Sequence, residues 1–202
     1  TVRALERRGI RADAIRRYWV EAGMKSVDIQ FSWDGLYSMN RDIIDPVSDR
    51  YFFVSDPVRY DIDGVDVSEG KAPLHPDHPE RGDRVYRLES PRTVFLSAED
   101  SKMFAESKTV RLKDLCNIDY GLPARYAGDD VSILRKGFKA VQWVGADALD
   151  ATLLMPDGTV QKGLVEKALS AEKGDMVQLE RTGFARIEKK DADDVSMVFA
   201  HR

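Results

Sequence analysis

The residues best able to do chemistry fall into two sets. The first is His75-Pro76-Asp77-His78, two imidazoles and a carboxylate within four positions. Such groups bind zinc and similar ions, and a metal-dependent hydrolase using His75, Asp77 and His78 is one reading. The loop supplies no cysteine, and the remaining histidine, His201, is at the far end of the sequence. The second set interleaves cations with aromatics: Arg50 beside Tyr51, Arg59 beside Tyr60, Arg125 beside Tyr126, with Arg111, Lys113 and Arg181. Splayed RNA bases are read by stacking on aromatic or guanidinium planes and by hydrogen bonds to their edges. Arginine adds a planar, bidentate fork that lysine lacks. Single-stranded RNA is the ligand class this set points to when taken together, while at any single position ordinary strand-edge charge is the commoner use of such residues. Other chemistry finds little support. Cys116 has no neighbouring base, no Gly-rich phosphate loop is present, and Met24-Lys25-Ser26 lacks a nucleotide-binding context.

The elements that must position these residues change character near Pro46. Residues 1–45 carry helical spacing: Ile15, Tyr18, Trp19 and Ala22 recur on one face, Gly9 and Gly23 end helices, and Ser32 is an N-cap. Their arginines, Arg3, Arg7, Arg8, Arg11, Arg16 and Arg17, stand among acids and read as a solvated face. From Pro46 the period falls to two. Tyr51–Val54 is an unbroken apolar run, expected to be buried on both sides. Thr109–Gly121 alternates as a long strand with a phase slip at Asp114–Leu115, where a bend or bulge is expected; Arg111 and Lys113 then face outward. Residues 71–84 read as a loop, and Ser97-Ala-Glu-Asp as a capping box opening a short helical turn. Pro156-Asp157-Gly158 and Arg181-Thr182-Gly183 are hairpin turns. Roughly ten short strands with frequent turns indicate small barrels.

Composition limits the partners. With 31 Lys and Arg against 35 Asp and Glu, the net charge of −4 argues against a charge-driven nucleic-acid binder and leaves room for a local basic groove. One cysteine in 202 residues precludes an internal disulfide framework and suits the cytoplasm, and no apolar run could span a bilayer. The opening on Thr1, in a helical pattern, suggests a piece of a longer chain.

Six blocks taken in order, RRGIRADAIRRYW, DRYFFVSDPVRYDI, PLHPDHPERG, KTVRLKDLCNIDYG, KAVQWV and VQLERTGFARIE, resemble the C-terminal half of archaeal glutamyl-tRNA synthetases and, more loosely, of glutaminyl-tRNA synthetases. The resemblance implies a mainly β fold: a helical connector (1–45) followed by two small antiparallel barrels. The proximal barrel would comprise 46–107 and 170–202, with the distal one (108–169) inserted in it. The resemblance also implies binding of a tRNA anticodon stem-loop between the barrels. Arg50, Lys113 and Arg181 match base-contacting positions, although Lys113 stands where glutaminyl enzymes have arginine. Lys102, Lys108 and Arg111 are further candidates for bases or phosphates. The family's catalytic signatures are missing from these residues, so ATP and Mg would belong to the parent, the fragment would be inactive alone, and the catalytic half of the parent chain would be a partner. A β-barrel module binding ribosomal RNA or protein remains the other non-enzymatic reading.

Overall fold

The structure, a computed structural model, describes residues 1–23, 30–65, 69–88 and 90–202. Met24-Lys25-Ser26 lies outside them. Among the described residues, four α-helices and sixteen short strands make a mainly β chain.

Helices α1 (Val2–Arg7), α2 (Ala12–Ala22) and α3 (Trp33–Ile44) come first. The Thr1 side chain caps α1, and Gly9 at φ +83° closes it: the Gly9 amide donates to the Glu6 carbonyl and the Ile10 amide to Leu5. A left-handed residue there satisfies carbonyls the helix leaves open. Ser32 caps α3 as its sequence position suggests, its side chain accepting from the Gly35 amide at 3.1 Å. Ile10, Ala14, Tyr18 and Leu36 form the small core between α2 and α3.

The strands follow: β1 (Asp49–Tyr51), β2 (Phe53–Ser55), β3 (Pro57–Asp63), β4 (Glu69–Pro73), β5 (Asp83–Arg87) and β6 (Thr93–Ser97). Helix α4 (Ala98–Ser107) leads to β7 (Thr109–Leu112), β8 (Asn117–Asp119), β9 (Ala124–Tyr126), β10 (Ala140–Val141) and β11 (Val144–Gly145). The last are β12 (Leu149–Leu154), β13 (Val160–Val165), β14 (Met176–Leu179), β15 (Gly183–Lys190) and β16 (Asp194–His201).

Two seven-stranded sheets result, ordered β1-β14-β15-β16-β12-β13-β2 and β10-β7-β8-β9-β3-β6-β11. In each, the two edge strands are consecutive in sequence. A ribbon kinked at Phe52 supplies both edges of the first sheet, and one kinked at Gln142–Trp143 both edges of the second. Each sheet thereby rolls into a barrel. Pairing is mostly antiparallel, with two parallel pairs per sheet: β1·β14 and β12·β16 in the first, β7·β10 and β3·β9 in the second.

The apolar run at 51–54 lies between the two cores. Tyr51 and Phe53 pack into the first barrel, Phe52 and Val54 into the second. Alternate side chains of an extended chain point to opposite faces, so a run with no polar phase fits a strand with a core on either side. The strands of the second sheet lie, in sequence, between the two segments that form the first. The first sheet takes 49–55 and 149–201, the second 57–63 and 93–145. The expected grouping of 57–97 with the C-terminal strands, and of 149–165 with the inserted barrel, is thus replaced. The cause is packing: Leu149, Ala151, Leu153 and Val165 share a core with Val177, Leu179 and Ala185.

Three local expectations change. The phase slip at Asp114–Leu115 is a hairpin turn, with Asp114 at φ +60° and the Leu115 amide donating to Leu112 at 3.1 Å, so β7 and β8 pair with each other. The loop at 71–84 is shorter, because β4 and β5 form a two-stranded ribbon with Gly70, Ala72, Arg84 and Tyr86 on its buried face. The turn after Ser97 grows into the ten-residue α4.

Candidate nucleic-acid interface

A polar groove with a cavity of about 250 Å³ opens where the barrels meet. The first barrel contributes Ser55, Gln161, Arg181 and Arg202 to its walls, and the second Asp100 and Gln142. Arg181 sits in the β14–β15 turn at φ +63°, a left-handed conformation that residues with a Cβ adopt rarely. Its Nη1 donates to both carboxylate oxygens of Asp100, at 3.0 and 2.8 Å. The Asp100 side chain is 4% exposed and that of Arg181 51%. This hydrogen bond to Asp100 raises the Arg181 pKa above its ordinary value.

Behind the groove, the residue before Arg181 anchors a charge network. Glu180 pairs with both Lys113 and Arg84. Arg84 reaches Glu166 Oε1 at 3.1 Å and donates to the Arg50 carbonyl. Its guanidinium lies 4.6 Å from the Phe52 ring centre and 5.5 Å from that of Tyr86, which stacks on Phe52. Glu166 Oε1 also accepts from the Phe52 amide at 2.5 Å, while Glu166 Oε2 is buried with no hydrogen-bond partner among the described residues. Burial pushes the Glu166 carboxyl up to about 7, outweighing Arg84 and the Phe52 amide. Burial works against the charge on Arg84, but the field of Glu166, with Tyr86 and Glu180, raises its pKa. The two partners therefore move in the same direction. The upward shift of Glu166 has a geometric basis in its unpaired oxygen.

Of the residues singled out in the sequence, Arg181 lines the groove, whereas Lys113 shares Glu180 with Arg84 and Arg50 meets that network only through its backbone carbonyl. Each is held by an acid: Arg50 Nη2 lies 3.9 Å from Asp45, Lys113 pairs with Glu180, and Arg181 with Asp100. Lys102 and Lys108 are exposed on α4 and at its end, with the Lys108 Nζ 5.0 Å above the Tyr120 ring. Arg111 is different. It is 7% exposed and donates to Asn117 Oδ1 and the Asp129 carbonyl, both at 3.0 Å. The expected outward orientation is corrected: Arg111 turns in against Asn117, and together they fasten the chain at 129–130 to the sheet.

The histidine loop is likewise structural. His75 is 1% exposed and its Nδ1 accepts from the Asp77 amide at 3.2 Å, whereas His78 faces Glu80 at 2.9 Å. No three His, Cys, Asp or Glu groups among the described residues converge as a metal site, so the hydrolase reading has no constellation to stand on. Asp100, Glu166, Glu180 and Arg84 were not singled out from the sequence. Asp100 reads there only as a capping position; Arg84 shares the strand phase of the buried Tyr86, the one signal that it turns inward.

Two family models match the chain, at residues 48–133 and 138–188, and both describe the anticodon-binding domain of class I tRNA synthetases (E and Q). The chain belongs to this family. The two matches to the class I anticodon-binding domains take in every strand from β1 to β14, both barrel kinks and the Arg181 turn. Similar proteins include the glutamate–tRNA ligases of Pyrococcus furiosus (38% identical over 211 residues), Thermococcus onnurineus (40% over 213) and Methanoculleus marisnigri (42% over 210). Each alignment covers 100% of this chain and 36–37% of the relative. This anticodon-binding chain thus spans a little over a third of the length of the curated relatives it matches. No helix among the described residues is long and apolar enough to cross a membrane.

Proposed function

We propose that this chain binds the anticodon stem-loop of a glutamate tRNA, on behalf of a parent that attaches glutamate to tRNA with ATP and Mg in the cytoplasm. The observation that carries the reading is Arg181, a half-exposed guanidinium set on a buried carboxylate within the groove between two anticodon-binding barrels. Arg181, Lys113 and Arg50 contact bases, and Lys102 and Lys108 contact bases or phosphates. The acids now paired with the first three keep them oriented in the free protein, and RNA takes over part of that pairing. ATP chemistry lies with the remainder of the parent, and this chain supplies recognition.

Titrating a labelled anticodon stem-loop of glutamate tRNA against the chain and its Arg181→Ala variant tests the reading. Loss of one bidentate base contact is expected to weaken binding roughly 5- to 150-fold, by analogy with the 1–3 kcal/mol of direct readout. Phosphate contacts by both Lys102 and Lys108 would give a slope of log affinity against log salt of about −1.4. Equal affinity of the two proteins at low salt contradicts the role of Arg181.

A further inference from the structure

We infer that Asp100 is the positioning residue for Arg181, holding its guanidinium across the groove so that the remaining donors meet a nucleobase edge with adjacent acceptors. This rests on the RNA-binding reading above and deepens it. Arg181 belongs to a turn of the first barrel, Asp100 to α4, whose Phe104 is part of the second barrel's core. The ion pair therefore bridges the two barrels at the groove. Both Asp100 oxygens accept from Nη1 alone, so Nη2 and Nε have no hydrogen-bond partner among the described residues. Because a guanidinium is planar, fixing Nη1 restricts the whole fork. Asp100 is itself immobilised: it is buried, and its amide donates to the Ser97 cap at 3.0 Å. The left-handed backbone at Arg181 adds a second constraint, of the kind found where a contact is preorganised.

Charge makes the inference testable by sign. A carboxylate in a groove for a polyanion opposes generic attraction, so removing it strengthens any binding governed by charge alone. Removing an orienting group instead weakens binding to the RNA with the right base and leaves the wrong bases unaffected. The experiment titrates the chain and three variants, Asp100→Asn, Glu99→Gln and Arg181→Ala, with the anticodon stem-loop and with loops in which each anticodon base is replaced in turn. Thermal melts verify folding. Asp100→Asn is expected to lower discrimination roughly tenfold, the scale of one misplaced bidentate contact, while affinity for base-swapped loops holds or rises. Glu99→Gln, which removes a like charge from the same groove, is expected to raise affinity for every loop and keep discrimination. An equal loss for all loops in Asp100→Asn, or unchanged discrimination, overturns the inference. Wild-type discrimination in Arg181→Ala instead overturns the role of Arg181, a separate failure. Should Asp100→Asn not fold, Asp100→Glu keeps the charge and displaces the fork by a methylene; lost discrimination at an unchanged salt slope supports the inference, and full discrimination overturns it.

Discussion

Replacing Arg84 by alanine is expected to lower the unfolding free energy by about 3–5 kcal/mol, the cost of stripping one partner from a buried ion pair. The side chain is 1% exposed and serves three acceptors: the Arg50 carbonyl, Glu166 and Glu180. Without it, Glu166 is a buried carboxylate whose remaining donor is the Phe52 amide. The Phe52 and Tyr86 rings also lose the guanidinium that lies against them. All of this occurs at the kink that supplies both edges of the first barrel. Urea unfolding of the variant measures the effect. A loss under about 1 kcal/mol, the range of an exposed pair, would show that the network carries little of the fold. Adding Glu166→Gln to the Arg84→Ala chain is expected to recover part of the loss above pH 7, where the carboxyl would otherwise have to hold its proton or carry an uncompensated charge.

The second large effect is a dependence on pH. The folded chain holds the Glu166 proton up to about pH 7, against an ordinary 4.5. Between those values the folded state binds more protons than the unfolded one, so stability falls as pH rises and the fall is complete above pH 7. A shift of that size corresponds to a change on the order of 3 kcal/mol. Other groups titrate over the same range, so the quantity to follow is the stability of Glu166→Gln minus that of the wild type. It is expected to move toward the glutamine variant from pH 4.5 to pH 8. Parallel profiles would mean that Arg84 and the Phe52 amide just offset burial, and movement the other way that they stabilise the carboxylate more than burial disfavours it.

Local signals in the sequence carried the elements, and long-range ones carried the mistakes. Ser32 and Ser97 cap the helices they precede, and Gly158 sits at φ +88° in the hairpin joining β12 to β13, because caps and turns are decided within a few residues. The missing polar phase at 51–54 showed burial on both sides. It did not show that the two sides belong to different cores, which depends on strands about a hundred residues away. The division of strands between barrels failed for that reason. Arg111 and Lys113 share a strand phase, yet one is buried and the other partly exposed, because Arg111 turns in against Asn117 and the Asp129 carbonyl while Lys113 reaches out to Glu180. Of the groove's residues, Arg181 was singled out in the sequence and its acid was not. Asp100 and Glu180 look like ordinary surface residues until the fold sets them opposite Arg181, Lys113 and Arg84.

The most direct test of the account maps the RNA onto the protein. Backbone amide shifts of the isotope-labelled chain would be followed while the anticodon stem-loop of glutamate tRNA is added. The account predicts saturable changes at Ser55, Asp100, Gln142, Arg181 and Thr182, on both walls of the groove. Changes confined to the histidine loop at 75–81 or to helices α1 and α2, with the groove amides unmoved, would contradict it.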